Sequence, residues 1–123
     1  TSSLEEPYIN KNKNGKTMRT YHHLGIPTTV KHNGEEYLAS FKTFVSGFET
    51  SLYGIEWMRY EPDAPLPEIV KTIPHIAFEV DDLARELEGK EILIAPNNPS
   101  EGVTVAFIIE NGAPVEFLQF QKR

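Results

Sequence analysis

The chain of 123 residues lacks cysteine, a basic excess and any long apolar run. Without cysteine it cannot form disulfides or thiolate metal sites, so nitrogen and oxygen must hold any metal. The net charge is −6 and the twelve basic residues are scattered, which argues against nucleic acid or an anionic membrane as a partner. No segment approaches the ~20 apolar residues that span a bilayer, and no signal-peptide pattern is present. We therefore expect a cytoplasmic protein.

An internal repeat is the main positive feature of the sequence. Two pairs of segments resemble each other: 20–26 with 72–78, and 55–60 with 115–120. The alignments place His23 on His75 and Glu56 on Glu116. Each half therefore opens with a histidine and closes with a glutamate, both within strand-like sequence. Two histidines and two glutamates at equivalent positions are a natural ligand set for one divalent metal between the halves.

Polar and proline-rich stretches divide the chain. Residues 1–18 are polar and aperiodic, and we interpret them as a leader. A single domain at 19–123 follows, with a first module at 19–61, a linker at 62–71 and a second module at 72–121. Three prolines within 62–67 predict that the linker is extended.

The second module has the pattern of a β-α-β-β-β unit. We predict strands at 73–80 and 91–94, a helix at 83–87 capped by Asp81 or Asp82, a loop at 96–102, and strands at 103–110 and 113–120. Asn111 and Gly112 join the last two strands as a hairpin. In the first module we predict strands at 20–28 and 53–61. Strand is favoured over a two-turn helix within 31–47.

Strand alternation predicts which side chains surround the site. Leu118 and Phe120 share a face with Glu116, and Met58 and Tyr60 share one with Glu56. These four residues, together with Phe44 in the preceding β-rich segment, are the candidate walls of a substrate pocket: Phe44, Met58, Tyr60, Leu118 and Phe120. Each is equally compatible with a plain core.

His22 is the alternative to His23 as a ligand. It is predicted to face the other side of the strand, and it lacks the Thr-x-x-His pattern that precedes both His23 and His75. A single histidine on an apolar strand is more often a hydrogen-bonded structural residue than a ligand. The repeat is what favours His23 and His75 as ligands.

The segments HIAFEVDDL at 75–83 and PVEFLQF at 114–120 resemble the vicinal oxygen chelate superfamily. This group includes glyoxalase I, fosfomycin resistance proteins, methylmalonyl-CoA epimerase and bleomycin-binding proteins. The resemblance covers about residues 20–121. It implies an α+β fold in which two βαβββ modules form a cupped eight-stranded sheet, here with a short first module whose helix is weak or missing.

The resemblance also implies a function. His23, Glu56, His75 and Glu116 would hold one divalent ion (Zn, Ni, Mn, Co or Fe), which stabilises an enolate-type species in an isomerase, epimerase or lyase acting on a small oxygenated molecule. Glu116 is the first choice for the base and Glu56 the second. A homodimer is expected.

Two other functions stay open at this stage. The first is a non-catalytic protein that binds a small molecule, as the bleomycin-binding relatives do, and the second is a ligand-sensing module. An extradiol dioxygenase is less favoured, because those enzymes use two histidines and one carboxylate on iron in longer chains.

Overall fold

The computed structural model describes residues 18–121, so that most of the predicted leader, 1–17, lies outside the described residues. The strands are β1 (Arg19–Pro27), β2 (Glu36–Leu38), β3 (Thr43–Ser46), β4 (Ile55–Tyr60), β5 (His75–Val80), β6 (Glu91–Ser100), β7 (Val103–Glu110) and β8 (Ala113–Phe120). The helices are α1 (Glu68–Thr72) and α2 (Leu83–Leu87), and 3₁₀ turns lie at Ala39–Phe41 and Phe48–Thr50. No helix within 18–121 is long and apolar enough to cross a membrane.

All eight strands belong to one curled sheet in the order β2-β3-β4-β1-β5-β8-β7-β6. The two halves repeat the same arrangement, because β1 runs parallel to β4 as β5 does to β8, while the other neighbours are antiparallel. This confirms the predicted eight-stranded α+β fold. No helix joins β1 to β2, so the predicted loss of the first helix is also confirmed.

The register of the parallel pairs bears out the internal repeat. Gly25 pairs with Glu56 across β1 and β4, and Ala77 pairs with Glu116 across β5 and β8. Gly25 and Ala77 are therefore equivalent, as are the histidines two residues before them. At the centre of the sheet His23 lies opposite Ala77, and His75 lies opposite Gly25. The two histidines thus approach each other across neighbouring antiparallel strands.

The outer face of the second half is covered by α2. Its Leu83 packs into a buried cluster with Val80, Ala106, Ile108, Val115 and Phe117. Of the two predicted cap residues it is Asp82 that caps this helix, because its side chain accepts a hydrogen bond from the backbone N–H of Arg85 at 3.1 Å. Because this face of β5 and β8 packs against α2, the opposite face of the two strands is the inner face of the sheet.

The outer face of the first half is covered by the segment 28–35 instead of a helix. His32 stacks on Trp57 with ring centroids 5.2 Å apart. Glu35 accepts two hydrogen bonds from the Arg59 guanidinium at 2.7 and 2.8 Å, and this contact lowers the pKa of Glu35 to about 2. A stacked ring and a bidentate ion pair thus replace the missing helix.

Two secondary-structure predictions are wrong. The predicted loop at 96–102 is mostly strand, because β6 continues to Ser100 with three irregularities in its register. Pro96 and Pro99 are tolerated because β6 is an edge strand that pairs only with β7. The segment 61–67, predicted to be extended, contains a turn in which the backbone N–H of Ala64 donates to the carbonyl of Glu61 at 3.0 Å, and it is followed by α1, whose Val70 is buried.

Candidate metal centre

Three of the four predicted ligands meet on the inner face of the sheet. His23 on β1, His75 on β5 and Glu116 on β8 each offer one ligand atom within 4.8 Å of the other two, and all three residues are buried. The Oε1 atom of Glu116 lies 3.0 Å from Nε2 of His75 and 3.3 Å from Nε2 of His23. Two nitrogens and one oxygen therefore converge from three adjacent strands.

The surroundings of His75 test whether this cluster fits a metal ion. His75 is 1% exposed, and neither of its ring nitrogens makes a hydrogen bond; the 3.0 Å contact with Glu116 lacks hydrogen-bond geometry. A buried polar atom without a partner costs free energy. Imidazole nitrogen and carboxylate oxygen are ligands for zinc, iron and related divalent ions, so the cluster fits such an ion.

The position of the His75 ring depends on glycine in the neighbouring strand. A Cβ atom at Gly25 would lie 2.3 Å from Cε1 and 2.7 Å from Nε2 of His75. The ring of Phe107 contacts His75 from another side, with centroids 5.1 Å apart. His75 is thus held between the backbone of β1 and an aromatic ring, and Gly25 makes room for it.

Glu56 lies at the edge of this cluster. Its Oε1 atom is 3.5 Å from Nε2 of His23, and its side chain is 19% exposed against 9% for Glu116. Burial raises the pKa of Glu56 above its ordinary value. Burial also raises the pKa of Glu116, but His23 and His75 more than offset this and hold it well below its usual range. The two glutamates are equivalent in the repeat and differ in environment.

The prediction that His22 faces away from His23 is wrong. The register of β1 against β5 shifts between Tyr21 and His23, so His22 occupies a bulge. Its Nδ1 lies 2.8 Å from Nδ1 of His23, and its ring stacks on Phe48 with centroids 4.9 Å apart. One of the two Nδ1 atoms must carry the proton that they share. If Nε2 of His23 binds a metal, its Nδ1 is the donor and His22 is the acceptor.

A cavity of about 450 Å³ opens over the centre. His23, Glu56 and Glu116 are part of its lining, together with His22. Its apolar wall comes from both modules: Leu38, Phe41, Val45, Phe48, Met58, Leu66, Val70, Val103, Val105, Phe107, Leu118 and Phe120. This size and this mostly apolar wall suit a small organic molecule.

Four of the five predicted wall residues line the cavity: Met58, Tyr60, Leu118 and Phe120. Phe44 does not. Across β3 and β4 it pairs with Arg59, whose guanidinium lies 4.3 Å above its ring, whereas Val45 pairs with the wall residue Met58. Since side chains alternate along a strand, Val45 faces the cavity and Phe44 the opposite side.

Comparison with known proteins identifies the fold. No family model and no curated protein matches the sequence. The structure is similar to a hypothetical protein, BH1468 from Bacillus halodurans C-125, with TM-score 0.66 and 20% identity over 85% of this chain and 96% of that one. It is also similar to methylmalonyl-CoA epimerase from Mycobacterium tuberculosis, with TM-score 0.59 and 15% identity over 83% and 88% of the two chains. The fold is of the vicinal oxygen chelate type. At these identities the likeness concerns the fold alone.

Sequence reasoning missed several residues of the cavity. Phe107 lies on β7, where Val103, Val105 and Phe107 alternate toward the inner face, so the strand pattern could have found it. Glu36 and Phe48 lie in the part of the first module where the phase of the strands was uncertain. No sequence signal pointed to them.

Proposed function

We propose that this protein is a metal-dependent enzyme that removes a proton from the carbon beside a carbonyl group of a small molecule, as an isomerase or epimerase does. The observation that carries this proposal is the buried cluster of His23, His75 and Glu116 beneath an open, mostly apolar cavity. Such a cluster costs free energy unless a cation completes it. The vicinal oxygen chelate fold and its epimerase neighbour support the same reaction class.

The chemistry divides between the ion and the two glutamates. A divalent ion held by His23, His75 and Glu116 supplies Lewis-acid polarisation of a substrate oxygen. Glu116 contacts both histidines and is suited to be the permanent carboxylate ligand. Glu56 contacts only His23, lies further away and is more exposed to the cavity. We therefore assign the proton-accepting role to Glu56, which reverses the order expected from the family resemblance.

We do not propose for this protein the substrate of the structurally similar methylmalonyl-CoA epimerase. A thioester of coenzyme A carries several phosphate charges, and proteins bind phosphates with lysine, arginine or backbone N–H groups. Among the described residues that line the cavity there is no lysine or arginine. The reaction type is proposed here without that substrate.

Metal analysis is the first test. Protein purified without a metal-affinity column should contain about one divalent ion per chain by elemental analysis, and His75→Ala and Glu116→Ala should lose it. Equal metal content in the wild type and both variants would contradict the site. A folded wild-type protein without metal would favour the alternative of a non-catalytic small-molecule binder.

The second test concerns proton transfer. A panel of α-hydroxy ketones and α-hydroxy aldehydes is incubated in deuterium oxide, and label at the α carbon is followed by NMR. Because a general base contributes about 10²–10⁴-fold, Glu56→Gln should keep its metal and lose exchange on that scale. If Glu56→Gln exchanges as fast as the wild type on a substrate that the wild type labels, Glu56 is not the base.

A second candidate function follows from the ligand set alone. Two histidines and one carboxylate with open positions are typical of non-haem iron(II) oxygenases, and the same three residue types meet here. Iron as the purified metal, with oxygen consumption on a catechol and no deuterium exchange, would favour this function over the isomerase.

A further inference from the structure

The charge of the cavity suggests what kind of molecule enters it. Its lining includes four glutamates, Glu36, Glu49, Glu56 and Glu116. With all four carboxylates ionised and a divalent ion bound at the candidate metal centre, a formal charge of −2 remains. The remaining negative charge belongs to Glu36 and Glu49. No lysine or arginine of the described residues lines the cavity to balance it.

Glu36 and Glu49 have no cationic partner within residues 18–121. Five of the seven basic residues in that range form ion pairs with other carboxylates. The position of Glu36 follows from the strand register: Glu36 is paired with Val45 across β2 and β3, and Val45 is paired with the wall residue Met58 across β3 and β4. These three side chains therefore form a row on the inner face, with Glu36 two strands away from Met58.

A second cavity of about 340 Å³ adjoins the first on this side. The two cavities share Glu36, Glu49 and Glu56 together with Val45 and Phe48. The rest of the second lining is mainly polar: Asn33, Gly34, Ser46, Gly47 and Thr50. The space over the metal centre is thus divided into an apolar main cavity and an acidic, polar annex.

We propose that the substrate is an apolar molecule that carries an amine, with its oxygenated end at His23 and Glu116 and its ammonium group in the annex between Glu36 and Glu49. This inference rests on the proposed function, since it takes the metal centre as the reacting end. The two carboxylates, which belong to exposed residues, attract a cation, and the side chain of Phe48 lines the same annex. An anionic substrate is repelled by the same groups, which makes the charge of the ligand a determinant of specificity.

Three synthetic probes with one chelating head test the proposal. Benzohydroxamic acids that carry a 4-aminomethyl, a 4-methyl or a 4-carboxy group differ at neutral pH mainly in charge. Their affinities for the zinc-loaded and the metal-free protein are measured by calorimetry at low and high salt. One unit charge 4 Å from a carboxylate in a water-like medium changes affinity about fivefold. We therefore expect the cation to bind on the order of tenfold tighter than the anion or more, with the neutral probe between them and the gap smaller at high salt.

Matched variants test whether Glu36 and Glu49 cause the preference for the cationic probe. Glu36→Gln combined with Glu49→Gln should remove most of the gap between cation and anion, leaving about threefold or less, because the two charges that distinguish the probes are then absent. Glu88→Gln combined with Glu110→Gln removes two charges at exposed positions outside both cavities and should preserve the gap. Equal affinities of the three probes, a preference for the anion, a gap that survives in the Glu36/Glu49 variant, or no binding by the cation overturns the proposal.

Comparison of the zinc-loaded with the metal-free protein distinguishes failure of this proposal from failure of the proposed function. If zinc leaves all three affinities unchanged, the metal site is wrong, whereas the order of the probes still tests the charge of the annex. If zinc strengthens binding of all three equally and charge has no effect, the metal site stands and the amine substrate is wrong.

Discussion

Substitution of Gly25 by alanine tests the metal centre without removing any ligand. Gly25 is buried on β1 opposite His75, and an added Cβ atom would lie 2.3, 2.7 and 2.9 Å from three atoms of the imidazole ring. Since real Cβ contacts are essentially never shorter than 3.0 Å, something must move. The backbone of β1 is held on both sides by β4 and β5, so the ring is the part that gives way.

The displacement can be worked out from these distances. Ordinary contact begins at 3.4 Å, so the nearest ring atom must retreat by about 1.1 Å, the difference between 3.4 and 2.3 Å. Metal–ligand distances tolerate only about 0.2 Å. His75 is 1% exposed and backed by Phe107, so it has little free space. We expect a loss of about 1–3 kcal/mol in the free energy of unfolding from overpacking. We also expect at least the roughly 10–100-fold loss of metal affinity that is typical when groups that orient a metal ligand are mutated.

Chelator competition for metal affinity and urea denaturation for stability measure the two effects separately. Ala77→Gly is the matched control, because Ala77 occupies the equivalent position beside His23 and the change adds no atom. It should lower stability and leave metal affinity close to that of the wild type. A folded Gly25→Ala protein with wild-type metal affinity would show that His75 is not a ligand in this orientation.

Two further predictions concern the stability of each outer face. The ion pair with Arg59 lowers the pKa of Glu35 from 4.5 to about 2, so the stabilisation by this carboxylate is present above pH 4.5 and is lost as the pH falls toward 2. The urea midpoints of the wild type and of Glu35→Gln should therefore converge over that interval. A constant difference between the two midpoints down to pH 2 would contradict the ion pair. Asp82→Ala removes the cap that accepts the Arg85 N–H and should cost about 0.5–2 kcal/mol in urea denaturation, whereas Asp81→Ala should cost less; equal losses would refute the assignment of the cap.

Local signals made the second module predictable. Asn111 and Gly112 both adopt positive φ, 52° and 79°, as a two-residue hairpin turn requires, and the strands on either side begin and end where predicted. The helix at 83–87 was also predicted correctly, because a cap residue and a following glycine mark its ends. In these segments the information lies within a few residues of the structure it specifies.

The two errors in the facing of side chains, at Phe44 and His22, come from features that depend on pairing between strands. Phe44 lies on the outer face because of the register of β3 against β4. No local sequence signal between those strands specifies that register. His22 is turned toward the cavity by a bulge against β5, about fifty residues later in the chain. Each error reversed a face, which is what a one-residue change in phase does to a strand. The faces of the candidate ligands His23, His75 and Glu116 were predicted correctly, because the two halves of the repeat give independent information on each position.

The repeat predicts a symmetric site, and the structure shows why the site is asymmetric. His23 is preceded by His22, which contacts its Nδ1, whereas the equivalent neighbour of His75 is Pro74, which has no side-chain donor or acceptor. One histidine is therefore oriented by a hydrogen bond and the other by packing against Gly25. The packed ring of His75 approaches Glu116 to 3.0 Å, while Glu56 has only a 3.5 Å contact with His23. A duplicated sheet thus provides two equivalent glutamates, and the different residues beside the two histidines go with a closer histidine contact for Glu116 than for Glu56. This difference is the basis for proposing Glu116 as the metal ligand and Glu56 as the base. If this reasoning is correct, the division of roles between Glu56 and Glu116 depends on positions 22, 25, 74 and 77, none of which is itself a ligand.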